Sequence, residues 1–160
     1  MSMDKSTSLE EQYDKIYRYC YFKVKNQELA EDITQETFLR FYERFGHYGS
    51  EWTLQYLYRT AHNLCVDEYR RKKNLLLSEN EAEEWADEGM ESKVISKLVI
   101  EEVMSVLTEE EKEILLLRYV NEEEIGMICR IYHISRFALY RKIKKAVEKL
   151  QKQLRKEDFS

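Results

Sequence analysis

The sequence predicts an all-α protein: two small helical domains joined by an acidic linker, the second containing a helix-turn-helix. Three observations carry that expectation. The 160 residues include no proline and four glycines, so little interrupts a helix, and the good helix formers Glu, Lys, Leu and Arg are abundant. Apolar residues recur at steps of three and four in two blocks, as they do on helices with one buried face. Between the blocks, over residues 75–92, that periodicity fails and carboxylates crowd a stretch with little to bury. The expected division is a first domain over 8–74, a linker over 75–92 and a second domain over 93–155.

In the first domain, Ser8 followed by Glu11 has the spacing of a capping box, so a helix should begin there. Tyr13, Ile16, Tyr17, Cys20 and Val24 mark its buried face, which lasts until the polar stretch Lys25-Asn26-Gln27. A second helix, from about Leu29 to Arg44, buries Ile33, Thr37, Phe38 and Phe41. Gly46 and Gly49 break the pattern in the loop GHYGS, and Ser50 can cap a third helix running to about Lys73, with Leu57, Ala61, Leu64 and Cys65 on its apolar face.

The second domain opens with Val94, Ile95, Leu98, Val99, Val103 and Val106. A second capping box, Thr108 to Glu111, starts a helix through Ile114, Leu115, Leu117 and Val120. A helix bearing Ile125, Ile128 and Ile131 then meets the turn Tyr132-His133-Ile134, after which Ser135 can cap a final helix that buries Leu139, Ile143, Ala146, Val147 and Leu150. The opposite face carries Arg136, Tyr140, Arg141, Lys144, Lys145 and Lys149. Such a face is usually only solvated, but one that follows a capped turn favours DNA binding.

A net charge of −5 argues against nucleic acid until it is divided along the chain. Residues 1–74 carry 12 basic and 12 acidic side chains, residues 75–112 carry 3 and 12, and residues 113–160 carry 11 and 7. The acidity belongs to the middle, and the C-terminal segment is positive. The third helix ends in Asp67-Glu68-Tyr69-Arg70-Arg71-Lys72-Lys73, where four successive cations can meet phosphates, while Tyr48, Trp52 and Tyr56 at its other end can stack on unpaired bases. The plainer reading is that the cations complement a helix C-terminus and the aromatics belong to the core.

Other functional classes find little support. No apolar run approaches the roughly 20 residues that cross a bilayer, and MSMDKSTSLEEQ lacks the apolar core of a signal peptide, so a cytoplasmic protein without a membrane partner is expected. Cys20, Cys65 and Cys129 are odd in number, widely spaced and in apolar contexts, which suits buried core residues better than a disulfide framework. His62 and Cys65 share a helix face but offer two ligands where structural zinc needs four, and His47 and His133 are isolated, so no metal is expected. There is no glycine-rich phosphate loop, catalytic carboxylate pair or nucleophile elbow. No catalytic residue and no cofactor is expected, and the chain should not be an enzyme.

Three stretches, in order, resemble the extracytoplasmic-function sigma factors. Residues 30–40, AEDITQETFLR, are similar to that family's polymerase-binding helix, whose pattern is close to AEDLVQETFLR. Residues 57–71, LYRTAHNLCVDEYRR, resemble its LYRIARNLAIDYLRR helix, which opens and reads the minus-ten promoter element. Residues 107–135 match LPEREREVLLLRYVEGLSYEEIAEILGIS without a gap. The chain departs from these patterns where Glu122 and His133 replace glycines, Thr108 replaces a proline, and Arg136-Phe137-Ala138-Leu139 replaces VGTV at the start of the recognition helix.

The resemblance implies a subunit that directs core RNA polymerase to promoter DNA. Asp32, Gln35 and Glu36, with Phe38 or Phe41, would meet the polymerase clamp, and Leu116 with Tyr119 would receive its flap. Arg59, Asn63, Asp67, Arg70 and Arg71, beside Trp52 in the GHYGSEW loop, would hold and read the minus-ten element. Ser135, Arg136, Tyr140, Arg141, Lys144 and Lys145 would serve the minus-thirty-five element. The acidic linker would thread toward the active-site and RNA-exit channels. An anti-sigma protein is a further partner that the resemblance admits. The alternative is a freestanding helix-turn-helix regulator, which would bind its DNA without polymerase; a helical adaptor that binds protein alone is disfavoured by the positive C-terminal segment.

Overall fold

The computed structural model describes residues 8–46, 53–79 and 101–159. The chain divides into two compact units, Met1–Asp87 and Glu88–Ser160. In the first, α1 (Leu9–Val24), α2 (Gln27–Phe45) and α3 (Thr53–Glu79) each pack against the other two. In the second, α4 (Glu109–Leu115) passes into a π-helical turn (Leu116–Val120), followed by α5 (Ile125–Tyr132) and α6 (Arg136–Phe159); residues 101–104 are also helical.

Local chemistry sets the ends of the first two helices. Ser8 Oγ accepts from the Glu11 N–H at 3.1 Å, satisfying a donor that the first turn of α1 leaves open. Lys25 closes α1 in left-handed backbone, its N–H donating to Tyr21 O at 2.7 Å. Asn26 Oδ1 then caps α2 through the Leu29 N–H at 2.8 Å, so the polar stretch expected between the helices is a junction of one cap and the next. Gly46, at φ 77°, ends α2 in the conformation that costs glycine least.

The core of this unit joins Ile16, Tyr19, Cys20 and Val24 of α1, Ala30, Ile33, Phe38 and Phe41 of α2, and Leu57, Tyr58, Ala61 and Cys65 of α3. Burying each of the larger side chains stabilises by roughly 1.5–3 kcal/mol before entropy is counted. Thr34 and Thr37 are also buried, and their hydroxyls donate to Ala30 O and Ile33 O one turn back, so neither leaves an open donor. Cys20 and Cys65 meet across α1 and α3. The hydrogen bond with Cys65 lowers the Cys20 pKa, helped by Thr34 and the charge of Lys23, against the upward push of burial. His62, the neighbour of Cys65 by spacing, instead hydrogen-bonds through Nδ1 with the Tyr19 hydroxyl at 3.1 Å.

Helix α3 runs six residues past its expected end at Lys73, to Glu79. Leu75, Leu76 and Leu77 are strong helix formers and no glycine or proline stands there to stop the chain; the loss of an apolar period was a signal about burial, not about helicity. The Ser50 cap, the linker beyond Glu79 and Val94 to Val99 lie outside the described residues.

In the second unit the Thr108 capping box is complete. Thr108 Oγ1 accepts from the Glu111 N–H at 3.1 Å and Glu111 Oε1 accepts from the Thr108 N–H at 2.9 Å. Ile114, Leu115, Leu117, Ile125, Ile128, Leu139, Ile143 and Ala146 form the core. The helix expected to carry an apolar face as far as Val120 widens instead at Leu116, where the Asn121 N–H reaches Leu116 O at 2.9 Å across five residues. A wider turn adds about one residue before the inner face returns, so Asn121 is buried and Val120 is exposed.

Lys149 departs from the exposed basic face expected of α6. Its ammonium donates to Glu111 Oε1 and Oε2 at 2.9 and 3.1 Å, tying α6 to the start of α4. A four-carbon stem can reach across the edge of a helix face, which spacing alone does not show.

Candidate nucleic-acid interface

Three helices present the residues singled out in the sequence. On α2, Asp32 and Gln35 are exposed, and Glu36 is half-exposed and paired with Arg40 at 2.8 Å. The apolar side chains expected beside them are inside. Phe38 is 8% exposed, against the Tyr13 ring at 5.5 Å, and Phe41 is 1% exposed, against Phe45 at 4.8 Å and Tyr56 at 5.5 Å. Leu39 and Tyr42, 52% and 55% exposed, are the apolar residues on the outer face. The signal was available: Ile33, Thr37 and Phe41 lie four apart on the inner face, and Asp32, Gln35, Leu39 and Tyr42 follow the outer one.

On α3, Arg59, Asn63, Asp67 and Arg70 are separated by four, four and three residues and so share one face. Arg59 is half-buried and the other three are exposed. Arg71 is exposed but paired with Glu68, whose hydrogen bond and charge raise the arginine pKa and keep it cationic. Tyr69, also exposed, stands among these cations; in the sequence it lies within the basic run, while the aromatics that suggest base stacking cluster at the other end of the helix. Of those, Tyr56 packs edge-on against Phe41 and Phe45, with the Arg44 guanidinium 6.0 Å from its ring, which ties it to the core margin. Trp52 and Tyr48 lie outside the described residues.

On α6, Ser135 Oγ accepts from the Ala138 N–H at 3.1 Å, capping the helix as its position implied. Leu139, Ile143 and Ala146 face the core, which turns Arg136, Tyr140, Arg141, Lys144 and Lys145 outward; all five are exposed. Arg136 reaches back over α5, where a Cβ at Gly126 would stand 3.3 Å from its Nη2. Lys142, between the basic positions, is held to Glu110 at 2.7 Å. Phe137 is exposed beside Arg141 and was not singled out by its sequence context. At the π-helical turn, Tyr119 is exposed and Leu116 half-buried, with the exposed Val120 next to them.

Electrostatics separate these surfaces. α2 offers carboxylate and amide with two apolar side chains, suited to a protein partner, whereas the outer face of α6 offers the exposed cations Arg136, Arg141, Lys144 and Lys145, with Lys142 and Lys149 held by carboxylates of α4. Among the described residues, no group of three or more His, Cys, Asp or Glu could hold a metal ion, and no helix is long and apolar enough to cross a membrane.

Comparison with known proteins gives the class first. Residues 9–75, which span α1, α2 and most of α3, match the sigma-70 region 2 family. The ECF RNA polymerase sigma factor SigW of Bacillus subtilis is 30% identical over 161 residues, covering 89% of this chain and 84% of that protein. SigM of the same organism, also an ECF RNA polymerase sigma factor, is 30% identical over 124 residues, covering 75% of this chain and 76% of its own. The sigma factor RpoE of Bartonella quintana, solved in complex with the anti-sigma factor NepR, shares the fold at a TM-score of 0.65, with 15% identity over 92% of this chain and 94% of its own. The chain belongs to the ECF RNA polymerase sigma factors.

Proposed function

We propose that this sigma factor docks on core RNA polymerase through α2 and reads promoter DNA at two places, the minus-ten element through α3 and the minus-thirty-five element through α6. The observation that supports the reading is the common polarity of the three helices: each buries its apolar face in its own unit and leaves charged residues exposed, Asp32 on α2, Asp67 and Arg70 on α3, and Arg136 and Arg141 on α6. Asp32 and Gln35, with Leu39 and Tyr42, form the clamp-facing surface, and Leu116, Tyr119 and Val120 form a second, flap-facing one. The buried Phe38 and Phe41 hold α2 in place rather than touch the partner.

Asn63, Asp67 and Arg70 supply hydrogen-bonding groups and charge along α3, and a base turned out of the stack there costs a few kcal/mol, which the single-strand contacts offset. Arg136, Arg141, Lys144 and Lys145 enter the major groove from the capped end of α6. The domains are 8–74 and 93–155, and the acidic stretch between them follows positively charged paths in the polymerase. An anti-sigma protein is a further partner in this reading. Chemistry belongs to the polymerase.

Runoff transcription with purified core polymerase on genomic fragments tests the proposal. Discrete transcripts that require both chain and core are expected, and reversing charge at Asp32 and Glu36 together should weaken core binding while helicity is kept. A chain that shifts specific DNA alone and yields no transcript with core would be a freestanding regulator.

A further inference from the structure

Phe137 is 72% exposed, more than any other large apolar side chain among the described residues. It stands in the first turn of α6, where a helix-turn-helix meets base edges. Its ring adds nothing to the core, which Leu139, Ile143 and Ala146 fill. One turn on, the Arg141 guanidinium lies over that ring, 5.1 Å from its centroid. No hydrogen bond to another described residue takes up the Arg141 donors. The ring therefore restrains a flexible arm before binding while its N–H groups stay open, so less ordering is left to do on contact with DNA.

We propose that Phe137 and Arg141 act as one reading unit within the minus-thirty-five contact: the phenyl ring meets the methyl group of a thymine, and Arg141 donates to O6 and N7 of a guanine close by. Thymine alone presents an apolar group in the major groove, and guanine alone presents two acceptors that match an arginine fork. One helical turn rises about 5.4 Å against about 3.4 Å per base along a strand, so the two bases are neighbours or one apart. The inference rests on the function proposed above and narrows it to two bases read by two named side chains.

The test uses holoenzyme assembled from the full chain and core polymerase. It first selects minus-thirty-five sequences from randomised duplexes, and then each selected thymine is replaced by deoxyuridine, which removes only the methyl. At one thymine the replacement should weaken wild-type binding about fourfold, the effect of burying roughly one methyl group, and should have no effect on Phe137→Ala. Phe137→Ala should also lower the preference for guanine at the position that Arg141→Ala makes indifferent, which a ring serving only as an apolar contact would not do. Wild-type binding that tolerates deoxyuridine everywhere overturns the inference, as does a Phe137→Ala protein that keeps the methyl sensitivity. A Phe137→Ala protein that loses affinity for core polymerase instead would place the ring on a protein partner. Enrichment of no sequence at all would overturn the proposed function together with this inference; enrichment without a methyl-sensitive thymine would overturn this inference alone.

Discussion

In the first unit the buried hydroxyls of Thr34 and Thr37 bond to carbonyls one turn back in their own helix, whereas in the second the buried Glu113 and Glu111 accept from Tyr132 and Lys149, 19 and 38 residues further along. Local bonds satisfy polar groups without specifying which helices meet. Long-range ones tie α4 to α5 and α6, and make that arrangement depend on protonation. The first unit holds α2 and α3 together by aliphatic and aromatic packing, with its long-range Tyr19–His62 hydrogen bond between α1 and α3; the second holds α6 against α4 partly by charge.

The sharpest way to break this comparison is to remove a large side chain from one unit and a polar bond from the other. Phe41→Ala takes away a ring that is 1% exposed and should cost about 3–5 kcal/mol, read by amide exchange in residues 9–75. Tyr132→Phe removes only the hydroxyl on Glu113 Oε1, at 2.7 Å, and should cost about 1–3 kcal/mol, read in residues 109–156. Equal losses would mean that the second unit depends on its buried bonds as heavily as the first depends on its rings.

A functional version of the contrast concerns DNA. Arg141→Ala should forfeit about 1–3 kcal/mol of base discrimination at duplex DNA, while Arg70→Ala with Arg71→Ala should act where strands separate. A template already melted around the minus-ten element should restore runoff transcription for the Arg70/Arg71 variant and leave the Arg141 variant defective. Rescue of both, or of neither, would show that the two units do not divide the work in this way.

Acid should distinguish the units next. Burial works to raise the Glu111 pKa, but the Thr108 N–H and the Lys149 hydrogen bond and charge outweigh it, leaving the carboxyl below its ordinary value of 4.5. A depressed carboxylate stabilises the fold above that value and loses the contribution as pH falls through the lower, folded-state value. Lys149→Ala should therefore destabilise the second unit by about 1–2 kcal/mol at pH 7, and by progressively less below pH 4.5, as urea denaturation across pH would show. For Tyr132, burial and then the charge of Glu113 raise the phenol well above 10.0, so its contribution is present at neutral pH and is lost in strong alkali.

The features that were legible in the sequence are local ones. Ser8, Thr108 and Ser135 each cap a helix start as expected, because a cap is settled within four residues. Of the three only Thr108 completes a reciprocal box: at Ser8 the hydroxyl accepts from the Glu11 N–H and the Glu11 carboxylate does not return the bond. The inner face of α2 and most of those of α1 and α6 followed from a 3.6-residue period, but Tyr13 and Tyr17 of α1 and Val147 and Leu150 of α6 are only half-buried, and Tyr19 is buried instead. What spacing could not carry was anything decided by a distant partner or by a change of period: Lys149 crossing to Glu111, Val120 turned out by the π-helical step, and α3 continuing to Glu79. Within the candidate site, charge was easier to place than apolar contact. An exposed Leu39 or Phe137 reads as core until the helix around it has been phased.

The smallest expected effect tests the two places where family glycines are replaced. Glu122 and His133 both adopt φ 56°, left-handed backbone that costs a side-chain-bearing residue roughly 1–2 kcal/mol, of which glycine's greater freedom in the unfolded chain takes back about 0.5–1. Glu122 is exposed, so Glu122→Gly should stabilise the second unit by about 0.5–1 kcal/mol, while Glu122→Ala, which keeps a Cβ, should not. His133→Gly should show the same sign of change, since it relieves the same left-handed backbone. Lys25, at φ 54° in the first unit, supplies the control: Lys25→Gly should move the first unit's denaturation midpoint upward and leave the second's where it is. Because these changes relieve backbone cost without moving the turn before α6, runoff transcription should be unaltered. A Glu122→Gly protein with a lower midpoint in the second unit would mean that the carboxylate, not the backbone, sets the balance at that turn.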